Sequence, residues 1–488
     1  MTAHADVLIQ NAEVVDGTGK PRFIADVGIA GDRIVLVGDS TGWSAAIRVD
    51  GSNLVLTPGF IDVHTHDDRL MLSDGDMRPK VSQGVTTVVA GNCGISLAPT
   101  PRKMAAPITP PLNLLDGEGK WLVHPTFSSY VQALEHTPPA TNSALLVGHT
   151  TLRIAAMPDS QYDRPANAAE IATMKRLLRE AMEAGAIGLS TGLAYEPAIA
   201  SSTEEIIELA KVASEYGGVY CTHLRDESDE IIDALEEAFR IGREADLPVV
   251  LSHHKVAGKQ NFGRSTETLA LIEKQMAVQD ICLDCYPYSA SSTVLSAKNA
   301  ASALKVTVTW SHAFPEMAGR DLADIQEEWG CSQEEAVRRL LPAGAIYHRM
   351  DEDDVSRILA FEETMVGSDG LPHDEVPHPR LWGSFPRVLG HYSRKMGLFS
   401  FEKAINKMTA LSAEKFGLLN RGVIREGAYA DLVLLDADQV AEGSSFARPV
   451  ALSTGIEMVM VNGQVVWTDG RSMGARPGRV LRRTSASS

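Results

Sequence analysis

Two kinds of apolar pattern alternate along the middle of the chain. Short runs that are apolar throughout, VTTVVAGN, NSALLVGH, AIGLSTG, GVYCTH, LPVVLSHH, ICLDCYPY and ETMVGSD, recur between amphipathic stretches. EEIIELAKVASEYG is one such stretch, its apolar residues following a 3.6-residue period and Gly217 closing it. A strand without a polar face must be buried on both faces, so the alternation predicts a parallel sheet covered by helices. Seven or eight such units between residues 56 and 417 suit a (β/α)8 barrel, an α/β fold.

The two ends read differently. Residues 1–55 (ADVLIQNAEVVDG, ADVGIAGDRIVLVG) and 418–480 (GAYADLVLLDAD, IEMVMVNGQVVWTDG) carry alternating strands broken by turn dipeptides such as Asn462-Gly463. Together they predict one small β-sandwich whose halves flank the barrel. Residues 289–351 interrupt the barrel rhythm, are long for a βα loop and are rich in charge and helix formers. They predict an inserted subdomain or lid over the barrel mouth. The last stretch, RPGRVLRRTSASS, reads as a loose basic tail.

Composition narrows the function classes. With 44% hydrophobic residues, a large core is easily built, and a net charge of −18 repels nucleic acid and anionic membranes. The expected partner is a small molecule, and an anionic one requires a local basic pocket. No apolar run approaches the roughly 18 residues of a membrane span. The opening MTAHADVLIQNAEVVDG lacks the basic and apolar segments of a secretory leader, and five scattered cysteines make no disulfide framework. A cytoplasmic setting is expected. Cys282 and Cys285 lie in a strand-like run and read as packed residues rather than a redox pair.

Candidate chemistry collects at the strand ends, where barrel active sites lie. GFIDVHTHDD puts His64 and His66 two residues apart, on one face. His223 closes GVYCTH, His253 lies in LPVVLSHH, and Asp369 ends ETMVGSD. Neutral imidazoles suit zinc, and a carboxylate can act as a base toward water. Cys93 ends another run and joins this set as a thiolate donor. His253 and His254 are neighbours and point to opposite faces, so only one can be a ligand. Lys255 shares the face of His253 and can reach an anionic group there, which favours His253 and leaves His254 packed behind the strand.

These motifs, in this order, resemble the amidohydrolase superfamily. THDD, GNCG, THLRDE, SHHK, YPY, GSDG and HPRLWGSFPRVLG are similar to its branch of N-acyl-D-amino-acid deacylases, over residues 5–475. That resemblance implies zinc-dependent hydrolysis of N-acyl-D-amino acids. It implies a tight zinc site at Cys93, His223 and His253, a weaker site at His64 and His66, and Asp369 as the group that takes a proton from water and returns it to the amine. The lysine that bridges two metals in commoner relatives has no counterpart here. Arg380, Lys255 and Tyr286 are implied to grip the substrate's α-carboxylate, with Tyr195 as a further pocket residue. Lys298 resembles a basic residue of members acting on acidic D-amino acids, and points to N-acyl-D-glutamate, with N-acyl-D-aspartate next. A broad or hydrophobic specificity is the alternative. A cyclic-amide hydrolase would want the bridging lysine, and a non-enzymatic scaffold would have lost the ligands that are intact here.

Overall fold

The computed structural model describes residues 3–100, 104, 108–158 and 161–483. Eight parallel strands form the barrel: β1 (Phe60–Asp62), β2 (Val85–Ala90), β3 (Asn142–Gly148), β4 (Gly188–Gly192), β5 (Val219–His223), β6 (Val249–Leu251), β7 (Ile281–Cys285) and β8 (Thr364–Val366). They pair in sequential order, and a parallel bridge between Thr65 and Gly370 joins the first to the last. Every residue of these strands is buried, which is why they read as apolar throughout. One face fills the barrel and the other meets helices. Thr203–Glu215 is typical of those helices. It turns Ile206, Leu209, Ala210 and Ala213 inward, and the Ser202 hydroxyl accepts from the Glu205 N–H to cap its start.

Both chain ends enter one continuous sheet. Strands His4–Val14, Phe23–Ala30, Arg33–Gly38, Ser44–Asp50 and Val55–Pro58 join Leu432–Leu435, Ile456–Val461, Gln464–Thr468 and Arg471–Ser472. The join is the antiparallel pairing of Val55–Pro58 with Leu432–Leu435. Residues from both ends, among them Val7, Ile9, Val27, Leu432 and Met460, share a core separate from the barrel's. Because β1 begins two residues beyond Pro58, this sheet anchors the first strand of the barrel.

The segment after β7 contains more sheet than its charge and helix formers suggest. Ala290–Val294, Lys305–Ser311 and Ala343–His348 form an antiparallel three-stranded sheet with Ala343–His348 in the centre. Helices Leu322–Trp329 and Gln333–Leu340 pack on it around Val308, Ile325, Leu340 and Tyr347. KVTVTWS is a brief period-2 run, easily outweighed in sequence by the longer helical stretch behind it.

The expected loose tail is docked as far as residue 483. Val480–Leu481 pairs in parallel with β3, the Ser143 N–H donates to the Arg479 carbonyl, and Arg483 donates to the Lys415 carbonyl. The basic composition of this stretch hid backbone pairing that composition does not report. Residues 484–488 of that tail lie outside the described residues.

Candidate metal centre

The strand ends of the barrel converge on one point. His223 ends β5, while His64, His66, Cys93, His253 and Asp369 follow β1, β2, β6 and β8 by two to four residues. Three of these, Cys93 (φ 52°), His253 (φ 37°) and Asp369 (φ 50°), occupy the left-handed region that side chains rarely adopt. Each such residue costs on the order of 1–3 kcal/mol and persists only where surrounding structure enforces it. Around Cys93 the enforcement comes from two glycines. A Cβ on Gly91 would lie 2.2 Å from the Leu146 carbonyl oxygen, and one on Gly94 would lie 2.7 Å from the Gly192 nitrogen. GNCG is therefore a tight turn that aims the thiol inward. At His253, Asp284 of β7 does this work, its Oδ1 accepting from the His253 N–H at 2.9 Å.

Cys93 Sγ is the hub. It lies 3.2 Å from His64 Nε2, 3.2 Å from His253 Nε2 and 3.8 Å from His223 Nδ1. His223 Nδ1 and His253 Nε2 are 2.8 Å apart, and Asp369 Oδ1 lies 3.6 Å from His64 Nε2 and 3.2 Å from His66 Nε2. A tetrahedral zinc with bonds of about 2.0–2.3 Å spaces its donors by about 3.3–3.8 Å. The contacts of Cys93 and the His64–Asp369 contact lie in or close to that range, the His223–His253 contact is shorter, and the donor chemistry is that of a zinc site. All five donors next to the point of convergence, and His66 beside them, are buried.

Electrostatics agree with that chemistry. Burial opposes ionisation of the Cys93 thiol, but His64 and His253 beside it hold its pKa well below the usual thiol range. Burial also opposes the charge on Asp369, yet Arg380 and then His253 hold its carboxyl well below the usual carboxylate range.

Arg380 opens the helix Arg380–Arg387 and is fully buried. Its Nη2 lies 3.0 Å from Asp369 Oδ2 and donates to the Ser292 carbonyl at 3.0 Å, and its guanidinium sits 4.6 Å from the Tyr286 ring centroid. Its Nε and Nη1 have no hydrogen-bond partner among the described residues. Lys255 Nζ lies 5.6 Å from the same Tyr286 ring. Tyr195 packs against the His223 ring with centroids 4.7 Å apart, and its hydroxyl lies 3.0 Å from Thr293 Oγ1.

An inner cavity of about 20 Å³ is lined by His66, Cys93, His223, His253, Lys255, Asp369 and Tyr286. It meets an outer cavity of about 510 Å³, and Tyr195, Thr293 and Arg349 line both. Lys298 stands apart from the other predicted residues. It lines only the outer cavity, is 79% exposed, and pairs with Asp226 Oδ2 at 3.4 Å. His254 faces the helix layer, with Nε2 3.0 Å from Thr268 Oγ1, while Cys282 and Cys285 are buried free thiols.

The sequence reading missed Glu227, Asp284 and Arg349. Asp284 carried a usable signal, being a charge inside a buried run, and Glu227 follows His223 by four residues in THLRDE. Arg349 had none, since it is brought to the site by the centre strand of the inserted sheet.

Comparison with known proteins fits this geometry. The chain is 54% identical to a D-aminoacylase of Alcaligenes xylosoxydans xylosoxydans over 99% of this chain and 98% of that one. It is 49% identical to an N-acyl-D-aspartate deacylase of the same organism, over 98% and 95% of the two chains. A solved N-acyl-D-glutamate deacylase of Bordetella bronchiseptica, complexed with zinc and a phosphonate mimic of the tetrahedral intermediate, superposes with a TM-score of 0.94 at 44% identity. That match covers 98% of this chain and all of the other, which shares the barrel and the terminal sheet. Among the described residues no helix is long and apolar enough to cross a membrane. The amidohydrolase family model matches residues 55–466, and the chain belongs to the amidohydrolase family.

Proposed function

We propose that this protein hydrolyses the amide bond of N-acyl-D-amino acids with the help of zinc, releasing a D-amino acid and a carboxylate. The observation that carries the reading is the buried guanidinium of Arg380, whose Nε and Nη1 have no hydrogen-bond partner among the described residues, beside a cluster of zinc-type donors. Buried guanidinium N–H groups without a partner suit charge-assisted hydrogen bonds to a carboxylate. The product amino acid supplies one.

Cys93, His223 and His253 would hold the tight zinc, and His64 with His66 a weaker one. Bound there, zinc would make water more acidic and stabilise negative charge on the amide oxygen. Asp369 takes the proton of the attacking water and returns it to the departing amine, one carboxylate serving as base and then acid. Arg380, Lys255 and Tyr286 hold the α-carboxylate, and Tyr195 bounds the pocket where the inner cavity meets the outer. The D configuration rests on the names of the full-length relatives.

The side chain is read as acidic, N-acyl-D-glutamate first. Three cations, Arg225, Lys298 and Arg349, line the outer cavity, and Arg349 also lines the inner one. A broad or hydrophobic specificity is the second reading, favoured by the pairing of Lys298 with Asp226, which already answers its charge. A deacylation screen of N-acetyl-D- and N-acetyl-L-amino acids, with zinc measured on the same sample, tests both. Turnover of D substrates with N-acetyl-D-glutamate preferred is expected. Hydrolysis of hydantoin in place of any N-acetyl-D-amino acid would overturn the reading.

A further inference from the structure

Glu227 is a buried carboxylate outside the set of proposed ligands and outside the proton path. Its surroundings give it a defined task. An imidazole that binds a metal through one nitrogen must carry its proton on the other, and an acceptor at that second nitrogen fixes the tautomer and ring orientation. At the cluster, the inward atoms are His253 Nε2 and His223 Nδ1, both next to Cys93 Sγ. The outward atoms are His253 Nδ1 and His223 Nε2. Both face Glu227: Oε1 lies 3.1 Å from His253 Nδ1, and Oε2 lies 3.7 Å from His223 Nε2. One carboxylate thus spans the far sides of two imidazoles.

The other two histidines supply a comparison. His64 turns its outward Nδ1 to Asp284 Oδ2 at 3.4 Å. The outward Nδ1 of His66 is buried without a hydrogen-bond partner among the described residues. Carboxylates therefore stand behind the three histidines grouped around Cys93, Glu227 serving two of them and Asp284 one, whereas His66 Nδ1 has no such partner among the described residues. Lys255 Nζ completes the arrangement: it donates to Glu227 Oε1 at 2.6 Å and lies 2.7 Å from His253 Nδ1, so the carboxylate must win that ring nitrogen's proton against the ammonium beside it. This cation offsets the cost of burying the carboxylate. It also ties the group that orients the imidazoles to a residue proposed to hold substrate.

We propose that Glu227 is a positioning residue that holds His223 and His253 in their metal-binding tautomers. The proposal rests on the reading of Cys93, His223 and His253 as zinc ligands. Loss of such a partner weakens metal affinity by about tenfold to a hundredfold. The test is competition for zinc between a chelator of known affinity and wild type, Glu227→Gln, Lys255→Met and Cys93→Ala. Glu227→Gln should bind zinc with that weaker affinity and still reach wild-type stoichiometry at high zinc. Lys255→Met should keep wild-type zinc affinity, since Glu227 remains in place. Wild-type zinc affinity in Glu227→Gln, with only KM raised, would overturn the proposal by showing that the carboxylate serves Lys255 alone. If Glu227→Gln fails to fold, Glu227→Asp draws the carboxylate back by one methylene and decides the same question: weakened zinc supports the role, unchanged zinc overturns it. Cys93→Ala separates the two levels. Full zinc in Cys93→Ala would refute the ligand set itself, whereas lost zinc there with unchanged affinity in Glu227→Gln would refute only the role of Glu227.

Discussion

Arg380 Nη2 lies 3.0 Å from Asp369 Oδ2, so the cation proposed to receive the substrate's carboxylate also faces the proposed base. Removing the guanidinium should act in two places. Arg380→Ala should lower kcat/KM for every N-acetyl-D-amino acid alike, because the α-carboxylate is common to all. It should also release the charge interaction that most strongly depresses the pKa of Asp369 against the effect of burial. The active form is the ionised carboxylate, so activity is lost as pH falls through that pKa. The acid limb of the kcat/KM–pH profile should therefore lie lower in wild type and move to higher pH in Arg380→Ala. An unmoved limb would disconnect Arg380 from the base.

Asp369→Asn should retain zinc while kcat falls by at least about a hundredfold, the low end for general acid–base catalysis. The amide keeps the shape of the side chain but cannot take the water's proton. Zinc content and steady-state kinetics on one preparation check this. Normal kcat with a raised KM would make Asp369 a substrate-positioning group.

Cys93→Ala and His223→Ala should each lose bound zinc and activity together, whereas His64→Ala or His66→Ala should reduce tight zinc much less. Metal analysis after dialysis against buffer decides. Stoichiometric zinc with near-normal turnover in Cys93→Ala would exclude the thiolate as a ligand.

Lys298 and Arg349 divide the specificity question. A charge-assisted hydrogen bond contributes roughly 1.5–3 kcal/mol, or about ten- to a hundredfold in kcat/KM. Arg349 lines both cavities, while Lys298 is exposed and paired with Asp226. Arg349→Met should therefore cost N-acetyl-D-glutamate most of that factor and spare N-acetyl-D-leucine, with Lys298→Leu acting in the same direction but less. Equal losses on both substrates, or a wild-type preference for N-acetyl-D-leucine, would return the substrate to the broad or hydrophobic class.

The barrel carries its own acid-sensitive lock. Arg153 Nη1 donates to both oxygens of Glu205, at 2.6 and 2.8 Å, and His149 Nε2 lies 2.9 Å from the same carboxylate, all of them buried. Burial opposes the charge on Glu205, yet His149 and Arg153 hold its pKa down at about 2. The stabilisation is thus complete above the ordinary glutamate range and is lost as pH falls toward about 2. Glu205→Ala, which strands a buried guanidinium, should destabilise the fold by about 3–5 kcal/mol. A denaturant midpoint close to wild type would argue against the lock.

What the chain determined by itself follows from periodicity and from chemistry bound to it. Strands apolar on both faces, separated by amphipathic helices, specify a parallel sheet covered by helices on both sides, and seven or eight such units suit a closed barrel. The place of His64, His66, Cys93, His223, His253 and Asp369 at or just past strand ends was legible for the same reason, since strand ends mark one rim. Tertiary structure decided the rest. Glu227 and Asp284 acquire meaning only when β5, β6 and β7 lie side by side and put carboxylates behind imidazoles. Arg349 reaches the site from a sheet whose last two strands in sequence are separated by two α-helices. Lys298, close in sequence to β7, is carried outward to solvent and Asp226. A sequence pattern reports which face a residue takes on its own element, whereas the distance between two side chains depends on how separate elements pack.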